Sequence, residues 1–185
     1  MNEQTEQSGQ LARLLLRTGQ GDARAFAELY ERTSARLLGV CLRMLRDRPA
    51  SEEVLQDVFV TVWRRAPQFD AALSAPTTWL VTLARNKAID RLRQRRARLP
   101  LESVDFDTLS DERPTPPLAA EASQEYTRLQ RCLETLEAKD RHSIREAFFS
   151  GATYKELADR SQVPLGTLKS RIRRALAQLR TCLEP

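Results

Sequence analysis

Apolar residues recur at spacings of three and four along nearly the whole chain, and the two-residue alternation of a strand is almost absent. That periodicity predicts an all-α protein. A first helix is expected from an N-cap at Asp22 to Arg46, with Phe26, Leu29, Tyr30, Leu37, Val40, Cys41 and Met44 along its inner side. Asp47-Arg48-Pro49 interrupts it. Ser51 is expected to cap the next helix, whose first turn carries Glu52 and Glu53, where acids complement the helix dipole. Val54, Leu55, Val58, Phe59 and Val62 form its core stripe, and Trp63 lies beside that stripe at a position that suits core or surface. Residues 67–76 contain two prolines and no sustained period, so they read as a loop. A third helix starts at Thr77 or Thr78 and turns Trp79, Leu80, Leu83, Ala84, Ile89 and Leu92 inward.

Periodicity then stops. Residues 99–123 hold Pro100, Pro114, Pro116 and Pro117 among acidic residues, the composition of a linker that is extended where prolines cluster. Helical spacing returns with Tyr126, Leu129, Cys132, Leu133 and Leu136, and again with Ile144, Ala147 and Phe148 after an expected N-cap at Asp140. Gly151 suits the left-handed position that closes a helix. The expected architecture is two small helical domains, residues 22–98 and 124–185, joined by the 99–123 linker. Residues 1–21, uniformly polar from Asn2 to Gln10, are assigned to neither.

The last stretch is the most specific. Thr153 and Glu156 have the spacing of a capping box at the start of a short helix that turns Leu157 and Ala158 inward. Pro164 cannot sit inside a helix but suits the first turn of a new one, so the second helix begins there or at Leu165. Leu168, Ile172, Ala175, Leu176 and Leu179 share its buried face. Thr167, Lys169, Ser170, Arg171, Arg173 and Arg174 occupy the remaining surface. Two short helices across a tight turn, the second rich in such side chains, form a helix-turn-helix suited to the major groove. Arginine can read guanine bidentately there, while Lys, Ser and Thr hold phosphates.

Charge adds a second contact. Of 30 Lys/Arg and 25 Asp/Glu, residues 22–98 hold fifteen and nine, residues 99–123 hold one and six, and residues 124–185 hold twelve and eight. Two basic blocks around an acidic spacer fit two contacts with one polyanion. Arg91, Arg95 and Arg98, at i, i+4 and i+7, form a ridge suited to a phosphate track. Three widely spaced cysteines and the single histidine, His142, offer neither a disulfide framework nor a zinc site, and Cys41 reads as core packing. No Gly-rich phosphate loop and no Ser/His or Cys/His pair points to an enzyme, and no cofactor is expected. With no membrane-length apolar run and no signal-peptide pattern, a cytoplasmic protein is expected, without membrane insertion.

The motifs EEVLQDVFVTVW (52–63), FD (69–70), TWLVTLARNKAIDRLR (78–93) and PLGTLKSRIRRA (164–175), in that order, resemble a bacterial extracytoplasmic-function sigma factor over roughly residues 22–183. The resemblance implies a dissociable subunit of RNA polymerase that selects promoters and helps open them. It implies docking of the first domain on the clamp coiled coil of the largest polymerase subunit through Glu53, Gln56, Asp57 and Val60. The same domain would hold the melted −10 strand through the 69–77 loop, with Asp70, Ser74 and Thr77, and through Trp79, Arg85, Asn86, Asp90, Arg91 and Arg93. The second domain would read the −35 element with Thr167, Lys169, Ser170, Arg171, Arg173 and Arg174, and pack on the flap of the second-largest subunit. An anti-sigma factor is an expected further partner. Ser161-Gln162 replaces the small-residue turn more usual in the family, and no C-terminal extension is expected to add regulation. The alternative is a self-sufficient helix-turn-helix regulator that does not bind core polymerase.

Overall fold

The computed structural model describes residues 3–98 and 120–184. Every described element is a helix or a 3-10 turn, and the chain divides into two compact units, Met1–Arg96 and Ala97–Pro185. The four linker prolines lie outside the described residues.

The first unit holds α1 (Glu3–Gly19), α2 (Ala23–Leu45), α3 (Arg48–Arg65), a 3-10 turn (Ala66–Gln68) and α4 (Pro76–Arg98). The α1 helix is not expected from the sequence, because its first half is polar. Its second half places Leu11, Leu14, Leu15 and Thr18 at i, i+3, i+4 and i+7, and all four are buried. The Thr18 hydroxyl donates to the Leu14 carbonyl at 2.8 Å, which satisfies it inside the core. Leu11, Leu14 and Leu15, from the segment the sequence left unassigned, therefore belong to the first unit's core, with Ala12 packed against it. The α1 terminus lies so close to the 3-10 turn that a Cβ on Gly19 would come within 2.9 Å of the Ala66 backbone.

Asp22 caps α2, accepting from the Arg24 and Ala25 amides, and Arg46 ends it in the left-handed conformation at φ 53°. The α3 cap is Asp47, not Ser51: Asp47 Oδ1 accepts from the Ala50 amide at 3.0 Å. Pro49 fits the first turn, and Ser51 is buried inside the helix with its hydroxyl on the Asp47 carbonyl. Glu52 and Glu53 accordingly fall beyond the first turn. Val54, Leu55, Val58, Phe59 and Val62 all face the core as the spacing predicts. Tyr30 and Trp63 are exposed at its margin, where Trp63 packs edge-on to Phe26 with centroids 5.2 Å apart. The α4 helix starts at Pro76, one residue ahead of the expected threonines.

The second unit holds α5 (Ala120–Glu134), α6 (Ala138–Phe149), α7 (Tyr154–Arg160) and α8 (Leu165–Leu183). The start of α5 lies within the expected linker. Asp140 does not cap α6: it sits in the first turn, and Glu137 is the cap position, with no side-chain cap bond. Leu129, Phe148 and Leu176, expected inside, are partly exposed. Helix α8 serves two apolar clusters. Its C-terminal half packs Ala175 and Leu179 with Cys132, Leu136 and Ile144, and its N-terminal half packs Leu168 and Ile172 with Ala147, Leu157 and Ala158. Cys132 and Cys182 form a disulfide between α5 and α8 at an S–S distance of 2.00 Å. This overturns the expectation that no disulfide exists, because helix packing brings together two residues 50 apart. Cys41 is buried, and burial pushes its thiol up to about 11, so it stays protonated and inert.

Candidate nucleic-acid interface

The helix-turn-helix forms where local sequence signals place it. Thr153 Oγ1 accepts from the Glu156 amide at 3.2 Å, and Glu156 Oε2 accepts from the Thr153 amide at 2.5 Å, so the expected capping box is complete. The turn runs through Gln162 at φ 53°, where the chain takes the left-handed conformation with a residue that has a Cβ. Pro164 occupies the cap position of α8, and Leu168, Ile172, Ala175 and Leu179 are buried.

On the opposite side of α8, Thr167, Lys169, Ser170, Arg173 and Arg174 are exposed. Arg171 differs. Its side chain is only 19% exposed and lies on α6, with Nε 3.6 Å from Asp140 Oδ1, itself in a side chain 19% exposed. Asp140 Oδ1 is buried and has no hydrogen-bond partner among the described residues. Glu137, at the cap position of α6, is held below the usual carboxylate range by Lys139, with smaller contributions from Arg171 and Arg174. A second contact ties this unit together: Arg160 of α7 donates to the largely buried Glu146 of α6 at 2.9 Å.

In the first unit, Glu53, Gln56, Asp57 and Val60 follow i, i+3, i+4, i+7 on α3 and are all exposed, so they form one continuous row. Val60, 50% exposed, is an apolar residue in an otherwise polar row. Glu53 also pairs with Arg91 of α4, joining one residue expected to dock polymerase to one expected to hold DNA. The row therefore borders the basic helix directly.

The loop expected over 69–77 ends at Ala75, with Thr77 already in α4, and it is shaped by Asp70, whose Oδ1 accepts from the Ala72 amide at 2.8 Å and whose carbonyl accepts from the Leu73 and Ser74 amides. One carboxylate of the expected base-contacting set is thus also a turn-former. Ser74 and Thr77 are half-buried. Phe69 is buried beneath the loop and packs against Trp79 with centroids 5.5 Å apart, leaving Trp79 half-buried at the junction of loop and helix. Trp79, Asn86, Asp90 and Arg93, at i, i+7, i+11 and i+14, share a face of α4, while Arg85 and Arg91 flank it. Of the expected ridge, Arg95 is exposed, and the Arg98 side chain lies outside the described residues. Asn86 and Asp90 also line a cleft against α3 with Arg64, Arg65 and Lys87, three cations absent from the expected set. Their spacing on two separate helices carries no signal in the sequence that they converge.

Among the described residues no cluster of His, Cys, Asp or Glu is placed to hold a metal, and no helix is long and apolar enough to cross a membrane. Residues 29–98 match the family described as Sigma-70 region 2, and residues 132–181 match Sigma-70, region 4. The ECF RNA polymerase sigma factor SigK of Mycobacterium tuberculosis is 38% identical over 185 residues, spanning 96% of this chain and 95% of its own. SigK of Mycolicibacterium vanbaalenii is 38% identical over 178 residues, spanning 95% and 90%. Among solved structures, Rhodobacter sphaeroides SigE in complex with the anti-sigma ChrR is 36% identical over 90% of this chain and 96% of its own, with a TM-score of 0.45.

Proposed function

Because the chain belongs to the family of ECF RNA polymerase sigma factors, and so directs transcription initiation, we propose that its two units divide the promoter between them. The C-terminal unit reads the −35 duplex through α8, and the N-terminal unit holds the melted −10 strand on α4 and the 69–77 loop. The observation that carries this reading is the row Thr167, Lys169, Ser170, Arg173 and Arg174, exposed together on a helix held by a complete capping box and a tight turn. Lys169, Arg173 and Arg174 supply base-edge and phosphate contacts, and Thr167 and Ser170 hold phosphate. Arg171 acts through α6 instead: its guanidinium sits beside the buried Asp140 oxygen and sets the pitch of α8.

On the first unit, the exposed row Glu53, Gln56, Asp57 and Val60 docks the clamp coiled coil of the largest polymerase subunit, and the second unit packs on the flap of the second-largest. An acidic row with one apolar member suits a basic protein partner better than DNA. Chemistry at the promoter is left to the polymerase, and the protein works in the cytoplasm. An anti-sigma factor, as in the complex of Rhodobacter sphaeroides SigE with ChrR, is the expected regulator. The two sigma-region matches do not favour a self-sufficient regulator.

Run-off transcription with purified core polymerase tests the reading. Core plus this protein initiates from promoters that core alone ignores, Asp57→Arg removes that activity with the fold intact, and Arg174→Ala weakens −35-dependent initiation by about tenfold, the loss of one good base contact. Normal core affinity in Asp57→Arg would refute the docking surface, and equal initiation with and without the protein would refute the whole.

A further inference from the structure

The C-terminal half of α3 and the middle of α4 enclose a cleft of about 320 Å³ lined by Thr61, Arg64 and Arg65 from one helix and Leu83, Asn86, Lys87 and Asp90 from the other. The spacing explains the convergence. Thr61, Arg64 and Arg65 stand at i, i+3 and i+4, and Leu83, Asn86, Lys87 and Asp90 at i, i+3, i+4 and i+7, so each set occupies one helical face. Leu83 is buried, Thr61 and Lys87 are half-buried, and Arg64 and Arg65 are exposed. Three cations face a single carboxylate, which leaves a charge of +2 around a cavity large enough for a phosphate group and its waters.

None of Arg64, Arg65 and Lys87 has an ion pair with a described residue, although Arg17, Arg32, Arg48 and Arg91 of the same unit each do. Arg64 and Arg65 have one structural reason to be where they are, since they lie in the last turn of α3 and complement its dipole. Lys87 has no such reason, because it lies in mid-helix. Three like charges that converge on one carboxylate keep a net repulsion until a further anion lies between them.

We propose that this cleft is a seat for one phosphodiester of single-stranded promoter DNA, with Arg64, Arg65 and Lys87 as its ligands. The proposal rests on the reading above that this unit holds the melted strand. Asn86 and Asp90 belong both to the cleft and to the α4 face that includes Trp79 and Arg93, so a strand lying on that face reaches the cleft without leaving the helix. The seat carries the phosphate track off α4 and onto the end of α3. It supplies position rather than sequence, because a phosphate is the same at every nucleotide.

The test uses holoenzyme reconstituted from core polymerase and the full chain, and a fork-junction promoter probe with a single-stranded −10 segment. Affinity is measured against salt for the wild type, Arg64→Ala, Lys87→Ala and the double variant, with core affinity and the melting curve of each variant as controls. A parallel series of probes carries one uncharged methylphosphonate at each position of the single strand. Expected are a loss of about tenfold in the double variant and a salt slope shallower by about 0.7 for the one phosphate no longer neutralised. Also expected is one methylphosphonate position that weakens the wild type but leaves the double variant unaffected. Unchanged affinity and slope in a double variant that binds core normally overturn the seat alone. So does a weakened variant that couples to no single methylphosphonate, which is the outcome for a cleft that takes a free anion or contributes only a diffuse field. Wild-type holoenzyme that ignores the single-stranded segment overturns the underlying reading as well.

Discussion

At the scale of single residues, three side chains carry consequences beyond the family pattern. Asp22 caps α2, and its carboxyl is held below the ordinary 3.8, first by its bond from the Ala25 amide and then by Arg17. A depressed carboxylate stabilises the fold in full above the unfolded value and loses that contribution as pH falls through the folded one. The urea midpoint of the first unit should therefore drop below about pH 4, and Asp22→Asn should lower the midpoint at neutral pH while flattening that acid-side fall. Gln162 holds a left-handed φ of 53°. Gln162→Gly removes the Cβ conflict at some cost in unfolded-state entropy, so the second unit should gain about 0.5–1 kcal/mol, read from denaturant melts. Arg171→Ala leaves the buried Asp140 oxygen beside an empty space, so it should cost about 1–3 kcal/mol of stability and weaken DNA of every sequence alike. Relaxed preference at one base position with unchanged stability would instead make Arg171 a base reader.

At the scale of elements, the local signals were strong for α7 and α8 and weak for α1. A capping box, a proline and a four-three repeat mark the helix-turn-helix within a few residues of the chain. The α1 helix offers only Leu11, Leu14 and Leu15 after a polar start, and its membership of the core depends on a groove formed by other helices. Burial of those three leucines contributes at most about 5–9 kcal/mol, which is comparable with the whole stability of a small domain. Deleting residues 1–19 should accordingly unfold the first unit, seen as loss of its cooperative melt. Gly19→Ala is a milder test of the same contact, because its methyl would meet the Ala66 and Pro67 backbone, which cannot rotate away. The expected cost is about 1–3 kcal/mol; a melt unchanged by Gly19→Ala would mean that α1 does not hold its place against the 3-10 turn.

For the whole molecule, two units with separate cores should melt as two transitions. The disulfide distinguishes them. Cys132–Cys182 closes a loop of 50 residues within the second unit alone, for which chain entropy gives about 4 kcal/mol of stabilisation. In a unit this small, reduction or paired Cys132→Ser and Cys182→Ser substitution should lower that unit's transition by more than about 10 °C and leave the other in place. Calorimetry with and without reductant checks this, and superimposable traces would show that the bridge contributes nothing.

Helices α2 to α8, the caps at Asp22 and Thr153, the exposed polar and basic row on α8 and the acidic row on α3 were legible in the chain, because each depends on residues within a turn or two of one another. Pairings across the fold were not. Cys132 with Cys182, Arg171 with Asp140, Glu53 with Arg91, and the meeting of Arg64 and Arg65 with Lys87 join residues 22 to 50 positions apart. Helical periodicity says which face of a helix turns inward, but not which other helix it meets or at what height. That is settled only when the apolar stripes pack, so the polar partners at the edges of the cores were decided by tertiary structure.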